Sequence, residues 1–255
     1  VFGAYARSYD LLYRDKDYAG EARFVCDVLH THAPGASTLL ELGSGTGVHA
    51  AFLAAEGYEV CGIERSVEML ARSNARRETL PPEQAARLRF VEGDICHARV
   101  GTPFDGVISL FHVVSYQTTS AELRAACTTA RVHLKPGGVF LFDCWYGPAV
   151  LTDRPAVRVK RVEDEATSVT RIAEPAMHPN ENLVDVAYHT FVTDRSSGSV
   201  EQIRETHRMR YLFLPEIDVL FAQTGFVRVG CGEWMTGKAP GFDTWGVYVV
   251  GQATG

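Results

Sequence analysis

The sequence predicts an α/β fold, a doubly wound and mostly parallel sheet of Rossmann-like kind, with an antiparallel β-ribbon inserted into its second half. Three observations predict it. Short apolar runs alternate with helix-spaced segments as far as Pro148. A glycine loop, Gly43-Ser44-Gly45-Thr46-Gly47, follows the first of those runs. After Pro148 polar and apolar residues alternate with no helix between the runs, which is the period of half-exposed strands and not of helices.

Each element follows from its own pattern. Tyr18, Ala22, Val25, Cys26 and Leu29 recur at helical spacing and predict a helix over residues 17–33, stopped by His32-Ala33-Pro34-Gly35. Residues 38–42 (TLLEL) read as the first strand; beyond the glycine loop, VHAAFLAAEG reads as a helix ended by Gly57. The cycle returns as strand 58–64 with helix 66–77, strand 88–94, strand 104–111 with helix 121–134, and strand 138–145. The polar stretch 81–88 carries only a weak helical signal. Buried strands alternating with helices predict a parallel sheet covered on both faces. In the insertion VRVKRVE, TSVTRIAE, LVDVAYHTFV and VEQIRETHRMRYLF read as strands, broken at Pro179-Asn180-Glu181-Asn182 and Ser196-Ser197-Gly198-Ser199. A short helix, PEIDVLFAQTG, and two strands, FVRVGCG and TWGVYVVGQ, complete the fold. The expected division is residues 1–148 with 215–255 as the ligand-binding α/β domain, and 149–214 as a ribbon that covers an acceptor site or pairs across a homodimer.

Composition removes several classes of function. With 255 residues, 46% hydrophobic and 22% charged, the chain is a globular protein and not a disordered or fibrous one. Its net charge of -6 lacks the basic excess that neutralising phosphates requires, so no nucleic-acid partner is expected. No run of about 18 apolar residues occurs and the first residues hold no apolar signal core, so no membrane partner is expected and the chain reads as cytoplasmic. The six cysteines are scattered singly through apolar segments without ligand spacing, which predicts reduced core thiols and no metal site.

The glycine loop alone fits dinucleotides about as well as it fits S-adenosylmethionine. Glu41 separates the two, because a carboxylate two residues before Gly43 disfavours a pyrophosphate and attracts the α-ammonium of a methionine moiety, directly or through water. The third glycine also stands at GxGxG and not GxGxxG spacing. Glu64, at the end of the second strand, is placed to accept both ribose hydroxyls. Asp94 is placed to accept the adenine amine, with the Ile95 amide at a ring nitrogen and Met69 packed on the adenine face. Each is an ordinary cap or core residue when taken alone; together they sit at successive strand ends on the carboxyl edge of one sheet, where open α/β folds bind ligands.

On these residues the chain resembles the class I methyltransferases, whose hydrophobic-acidic-x-GxGxG motif is matched by LLELGSGTG. It is more closely similar to the nucleotide-sugar N,N-dimethyltransferases of the desosamine and mycaminose type, through YDLLYRDKDYAGEA, FHVVSYQT, DCWYGP and ETHRMRYLF. The resemblance spans nearly the whole chain. It implies that Tyr9, Glu41, Gly43, Ser44, Gly45, Gly47, Glu64, Arg65, Met69, Asp94, Ile95 and Leu110 bind the cofactor, with residues 110–112 along its methionine end. It also implies a small-molecule acceptor, a nucleotide-linked amino sugar, methylated at its amine. Sugar or scaffold O-methylation, a silent binding scaffold and a nicotinamide-dependent reductase are the alternatives.

An activated methyl group asks little of the protein beyond in-line placement, although a hydroxyl acceptor would benefit from a general base. His112 follows the fourth strand and is the first candidate for a base, with a hydrogen-bonded wall residue as the alternative. His207 matches the histidine of the resembling insertion, against the equal alternative of a buried structural histidine. Tyr116 stands where those enzymes carry a histidine or tyrosine near the acceptor amine. Asp143, Trp145 and Tyr146 are expected at the acceptor, Asp143 replacing a longer glutamate. Tyr9 is expected to close over the cofactor; Tyr13 either contacts the acceptor or packs with Tyr9 on one helix face. With few residues before Tyr9, an acceptor contact made there in the resembling enzymes is either missing or falls to Tyr5. Arg158, Lys160, Arg161, Arg171, Arg204, Arg208 and Arg210 are the cations from which a substrate diphosphate could draw a partner.

Overall fold

The computed structural model describes residues 6–255 other than position 102. Five parallel strands form its frame: β1 (Thr38–Leu42), β2 (Glu59–Glu64), β3 (Leu88–Glu92), β4 (Phe104–Ser109) and β5 (Leu134–Tyr146). They lie in the order β3-β2-β1-β4-β5, and β11 (Gly246–Ala253) then pairs antiparallel with β5 and with β10 (Phe226–Glu233).

Strand alternation sorts the core onto two faces. Leu39, Val60, Leu141 and Val250 point to the face covered by α2 (Tyr18–His32) and α3 (Val48–Ala55). Leu40, Leu42, Phe140 and Phe142 point to the opposite face, covered by α6 (Ser120–Val132) and α8 (Leu214–Thr224). Local signals set the helix starts: Asp17 caps α2 by accepting from the Gly20 N–H at 2.8 Å, and Thr119 and Glu122 form a reciprocal capping box on α6. Between β2 and β3 lie α4 (Val67–Glu78) and a single turn, α5 (Pro82–Ala85). Two further helices, α1 (Ala6–Leu12) and α7 (Gly147–Thr152), lack a periodic run long enough to announce them.

The fourth strand stops earlier than the sequence suggests. It pairs only to Ser109 opposite Phe142, because Phe111 and His112 both turn left-handed, at φ 64° and 61°, which ends an extended strand. The edge of β5 that β4 leaves is taken up by the insertion. Its strands β6 (Arg158–Glu163), β7 (Thr167–His178), β8 (Leu183–Asp194) and β9 (Val200–Leu212) are antiparallel in sequence order. Tyr211 and Leu212 of β9 then pair in parallel with Trp145 and Tyr146, while β11 occupies the other edge up to Trp145. The ribbon therefore stands above the carboxyl end of β4. Val150, Val184, Val186 and Tyr211 form the apolar joint beneath it. No described helix is long and apolar enough to cross a membrane.

Candidate active site

A cavity of about 990 Å³ opens along the carboxyl ends of β1 to β4 and runs up to the ribbon. Its lower end is built by the glycine loop. Gly43 sits at φ 78°, and a Cβ there would come within 2.5 Å of Val113, so the backbone approaches the cavity as only glycine allows. Glu64 fixes the neighbouring backbone, its Oε2 accepting from the Gly45 N–H at 2.9 Å and its Oε1 from the Ser66 N–H at 2.7 Å. Gly43, Ser44, Gly45, Glu64, Arg65, Met69, Asp94, Ile95 and Leu110 all line this end. Asp94 accepts from the Cys96 N–H through Oδ1 and leaves Oδ2 3.7 Å from Arg65.

Two expected contacts lie elsewhere. Gly47 faces away from the cavity, where a Cβ would meet Phe90 and Ser73; it caps α3 in the left-handed conformation. Glu41 is buried under the loop, off the cavity wall. Burial, and then the charge of Glu64, push its carboxyl up to about 8, and its Oε2 has no hydrogen-bond partner among the described residues. The set suits an adenosine: a side-chain-free loop, an acid at each of two strand ends and a thioether. These residues fit S-adenosylmethionine.

The helix α1 closes the side. Asp10 accepts from the Thr46 hydroxyl at 2.9 Å and from Arg76 at 3.2 Å, which docks the helix on the glycine loop. Tyr9 and Tyr13 then stack, with ring centroids 4.7 Å apart, and Tyr13 meets Phe111 edge-on at 5.0 Å. Both tyrosines line the cavity, and Tyr13 packs with Tyr9 as their spacing predicts. Arg171 of the ribbon donates to the Tyr13 hydroxyl at 3.0 Å. Tyr5 lies outside the described residues. Behind this wall Lys16 pairs with Glu21, and His49 lies 2.7 Å from the same carboxylate. Burial pushes Glu21 up, yet the bond to His49 and the charge of Lys16 prevail and hold it down at about 2.

At the upper end Tyr116, carried on the turn after β4, and His207, carried on β9, meet with the hydroxyl 2.7 Å from Nδ1. Nε2 of His207 lies 3.2 Å from Glu205. Burial first, and the charge of Arg171 with it, lower His207 to about 4. The ring is therefore neutral near pH 7; with Nε2–H directed at Glu205, Nδ1 accepts from Tyr116. Enclosure pushes the Tyr116 phenol well above its ordinary range. His112 and Trp145 complete the wall.

Asp143 is not on that wall. It is 1% exposed, and both its oxygens accept the His112 backbone N–H, at 3.0 and 3.1 Å, so its short side chain is occupied within the protein. Tyr146 is also absent from the cavity, packing instead with Leu214 and Cys231 on the far face, because successive residues of a strand point to opposite sides. Among the cations of the insertion only Arg208 reaches the lining. Sequence reasoning missed Tyr188 and His49, both of which line the cavity. Tyr188 sits in a uniformly alternating strand and His49 in an apolar helix, and neither position carries a local signal.

Residues 39–138 match the family model described as a methyltransferase domain. The dTDP-3-amino-3,4,6-trideoxy-alpha-D-glucopyranose N,N-dimethyltransferase of Streptomyces venezuelae is 32% identical over 223 residues, covering 87% of this chain and 89% of that protein. The dTDP-3-amino-3,6-dideoxy-alpha-D-glucopyranose N,N-dimethyltransferase of Streptomyces fradiae is 28% identical over 225 residues, covering 88% and 84%. Among solved structures, the S-adenosylmethionine-bound amino pentose methyltransferase from Micromonospora echinaspora superposes with a TM-score of 0.75 at 28% identity, over 100% of this chain and 98% of that one.

Proposed function

The chain belongs to the S-adenosylmethionine-dependent N,N-dimethyltransferases of nucleotide-linked amino sugars, and from that membership we propose that it methylates the amine of a nucleotide-activated amino sugar in natural-product biosynthesis. One observation carries the acceptor reading: the cavity that Glu64, Met69 and Asp94 line at one end is closed at the other by Trp145, Tyr188 and the bonded Tyr116–His207 pair. Flat apolar rings with a few convergent polar atoms suit a sugar. The net charge of -6 further favours a small acceptor over nucleic acid.

S-Adenosylmethionine supplies a methyl group already activated on a sulfonium, so the protein's task is placement. The glycine loop and Glu64 hold the adenosine end; Asp94, Ile95 and Met69 grip the base. Tyr9 and Phe111 cover the methionine end and exclude water. Tyr116, donating to neutral His207, presents a phenol oxygen able to accept an amine N–H, and that bond aims the nitrogen lone pair along the cavity. His112, where the wall turns at the end of β4, is the group for the leaving proton. In this reading residues 149–214 serve the acceptor and the rest of the chain serves the cofactor. Among the described residues β6 is the last strand of the ribbon, and its edge, with Val159 and the preceding Val157 exposed, suits pairing with a second copy.

Mass spectrometry of products from a panel of thymidine diphosphate amino sugars tests the reading. Methyl groups on nitrogen are expected; transfer to oxygen alone overturns it.

A further inference from the structure

Two features of His112 share one cause. Phe111 and His112 stand consecutively in the left-handed region, at φ 64° and 61°, which costs an L residue about 1–2 kcal/mol each. The turn persists because Asp143, buried beneath it, takes the His112 backbone N–H with both oxygens. The same carboxylate reaches the ring: Oδ2 lies 2.7 Å from Nδ1. Nδ1 is sealed from solvent and makes no aligned hydrogen bond among the described residues, so the carboxylate 2.7 Å away meets it as a charge beside the ring. Phe111 at 5.9 Å, Trp145 at 6.5 Å and the backbone of Gly246 also border the ring. Yet the side chain is 26% exposed and lines the cavity. With Nδ1 covered, the open part of the ring is the edge that carries Nε2.

Resting on the amine-methylation reading above, we propose that Asp143 is a positioning residue that holds His112 as its Nδ1–H tautomer, so that Nε2 receives the proton shed by the acceptor nitrogen. The step balances. The nitrogen lone pair forms the N–C bond as the C–S bond breaks, and sulfur keeps that pair as a neutral thioether. The nitrogen is left as an ammonium; its N–H proton passes to Nε2 and then to water, and the freed pair makes the nitrogen nucleophilic again for a second methyl group. His207 is unsuited to this task, since its Nδ1 already takes the Tyr116 hydroxyl. A carboxylate that fixes the tautomer and direction of a histidine is a recurrent arrangement in proton transfer.

The test is a double-mutant cycle joined to ring-nitrogen NMR. Asp143→Asn keeps an oxygen for the His112 N–H but removes the charge beside the ring. Asp143→Asn and His112→Gln are each expected to lower kcat by about 100-fold, with the double variant no slower than His112→Gln alone and S-adenosylhomocysteine affinity retained in all three. In the S-adenosylhomocysteine complex of the unaltered enzyme, the His112 nitrogen shifts are expected to show Nδ1 protonated and Nε2 bare, and in Asp143→Asn a mixture. Additive losses in the double variant overturn the proposal. So does a ring protonated at Nε2 in the unaltered enzyme, a measurement that needs no variant to fold. An enzyme that methylates no amine would defeat the functional reading instead, and the tautomer would still decide what Asp143 does.

Discussion

Glu64 holds the Gly45 and Ser66 N–H groups with its two carboxylate oxygens, so it shapes the loop as well as lining the cavity. The Asp94 side chain accepts from the Cys96 N–H. Both alanine variants are therefore expected to weaken S-adenosylhomocysteine binding by about 1–3 kcal/mol, with Glu64→Ala the larger loss because it also strips two loop donors of their acceptor. Titration calorimetry of the pair checks this, and unchanged affinity in both refutes the cofactor placement. His207 gives a prediction with a sign. Burial, and the charge of Arg171, lower it from 6.5 to about 4, so between those values the unfolded chain binds more protons than the folded one. The stability held by the neutral ring is complete above pH 6.5 and is lost as the pH falls toward 4, amounting to about 3 kcal/mol in all. Urea unfolding at pH about 7 and about 5 is expected to show a smaller loss for His207→Gln than for the unaltered chain. Equal losses would mean that the ring does not titrate in that window.

Among the elements, α1 closes the side of the cavity next to the glycine loop. Asp10 joins it to Thr46 of the glycine loop and to Arg76 of α4, while Leu12 packs under the ribbon with Val162 and Val169. Since the loop and the helix are held by the same carboxylate, releasing one should release the other. Asp10→Ala is expected to raise the dissociation rate of S-adenosylhomocysteine by about fivefold, the equivalent of about 1 kcal/mol for a lost bond of this kind, with little change in the association rate. Stopped-flow displacement reads both; a slower association with unaltered dissociation would mean that Asp10 opens the site instead of closing it. This helix also shows where sequence reading reaches its limit. Tyr9 and Tyr13 lie four apart and predict a shared helix face, which they have, but the bond from Arg171, distant in sequence, that fixes Tyr13 follows from tertiary packing alone. The strand was legible as far as Trp145, and the facing of Tyr146 beyond it was not, because which side of β5 meets the cavity depends on the register with β4 and β11.

On the proposed reading the molecule divides its labour between two layers that meet at one short joint. The parallel sheet was legible because its strands are apolar runs and most of them are followed by a helix, and the glycine-loop end of the cavity was legible because Gly43, Glu64 and Asp94 sit at strand ends, which sequence locates well. The acceptor end was legible in residue type but not in partnership: His112, Tyr116, His207 and Asp143 were all recognisable, yet that Tyr116 meets His207 and Asp143 meets His112 depends on contacts 91 and 31 residues apart. Those contacts exist because β9 takes the edge of β5 that β4 vacates, pairing Tyr211 with Trp145 and Leu212 with Tyr146. Tyr211 is fully buried at this joint among Val150, Val184 and Val186. Removing it should leave a cavity costing about 3–5 kcal/mol, and the cost falls on the ribbon, which carries Tyr188 and His207, while the glycine loop and Glu64 are anchored in the sheet below. Tyr211→Ala is thus expected to lower kcat/KM for the acceptor by about tenfold or more, since even a small displacement of positioned groups is costly, and to leave S-adenosylhomocysteine affinity near that of the unaltered enzyme. Calorimetry beside steady-state kinetics decides it. If cofactor affinity and acceptor turnover fall together, the joint supports the molecule as one unit and the two layers do not act separately; if only the acceptor suffers, the ribbon is the part in which this chain sets its choice of acceptor.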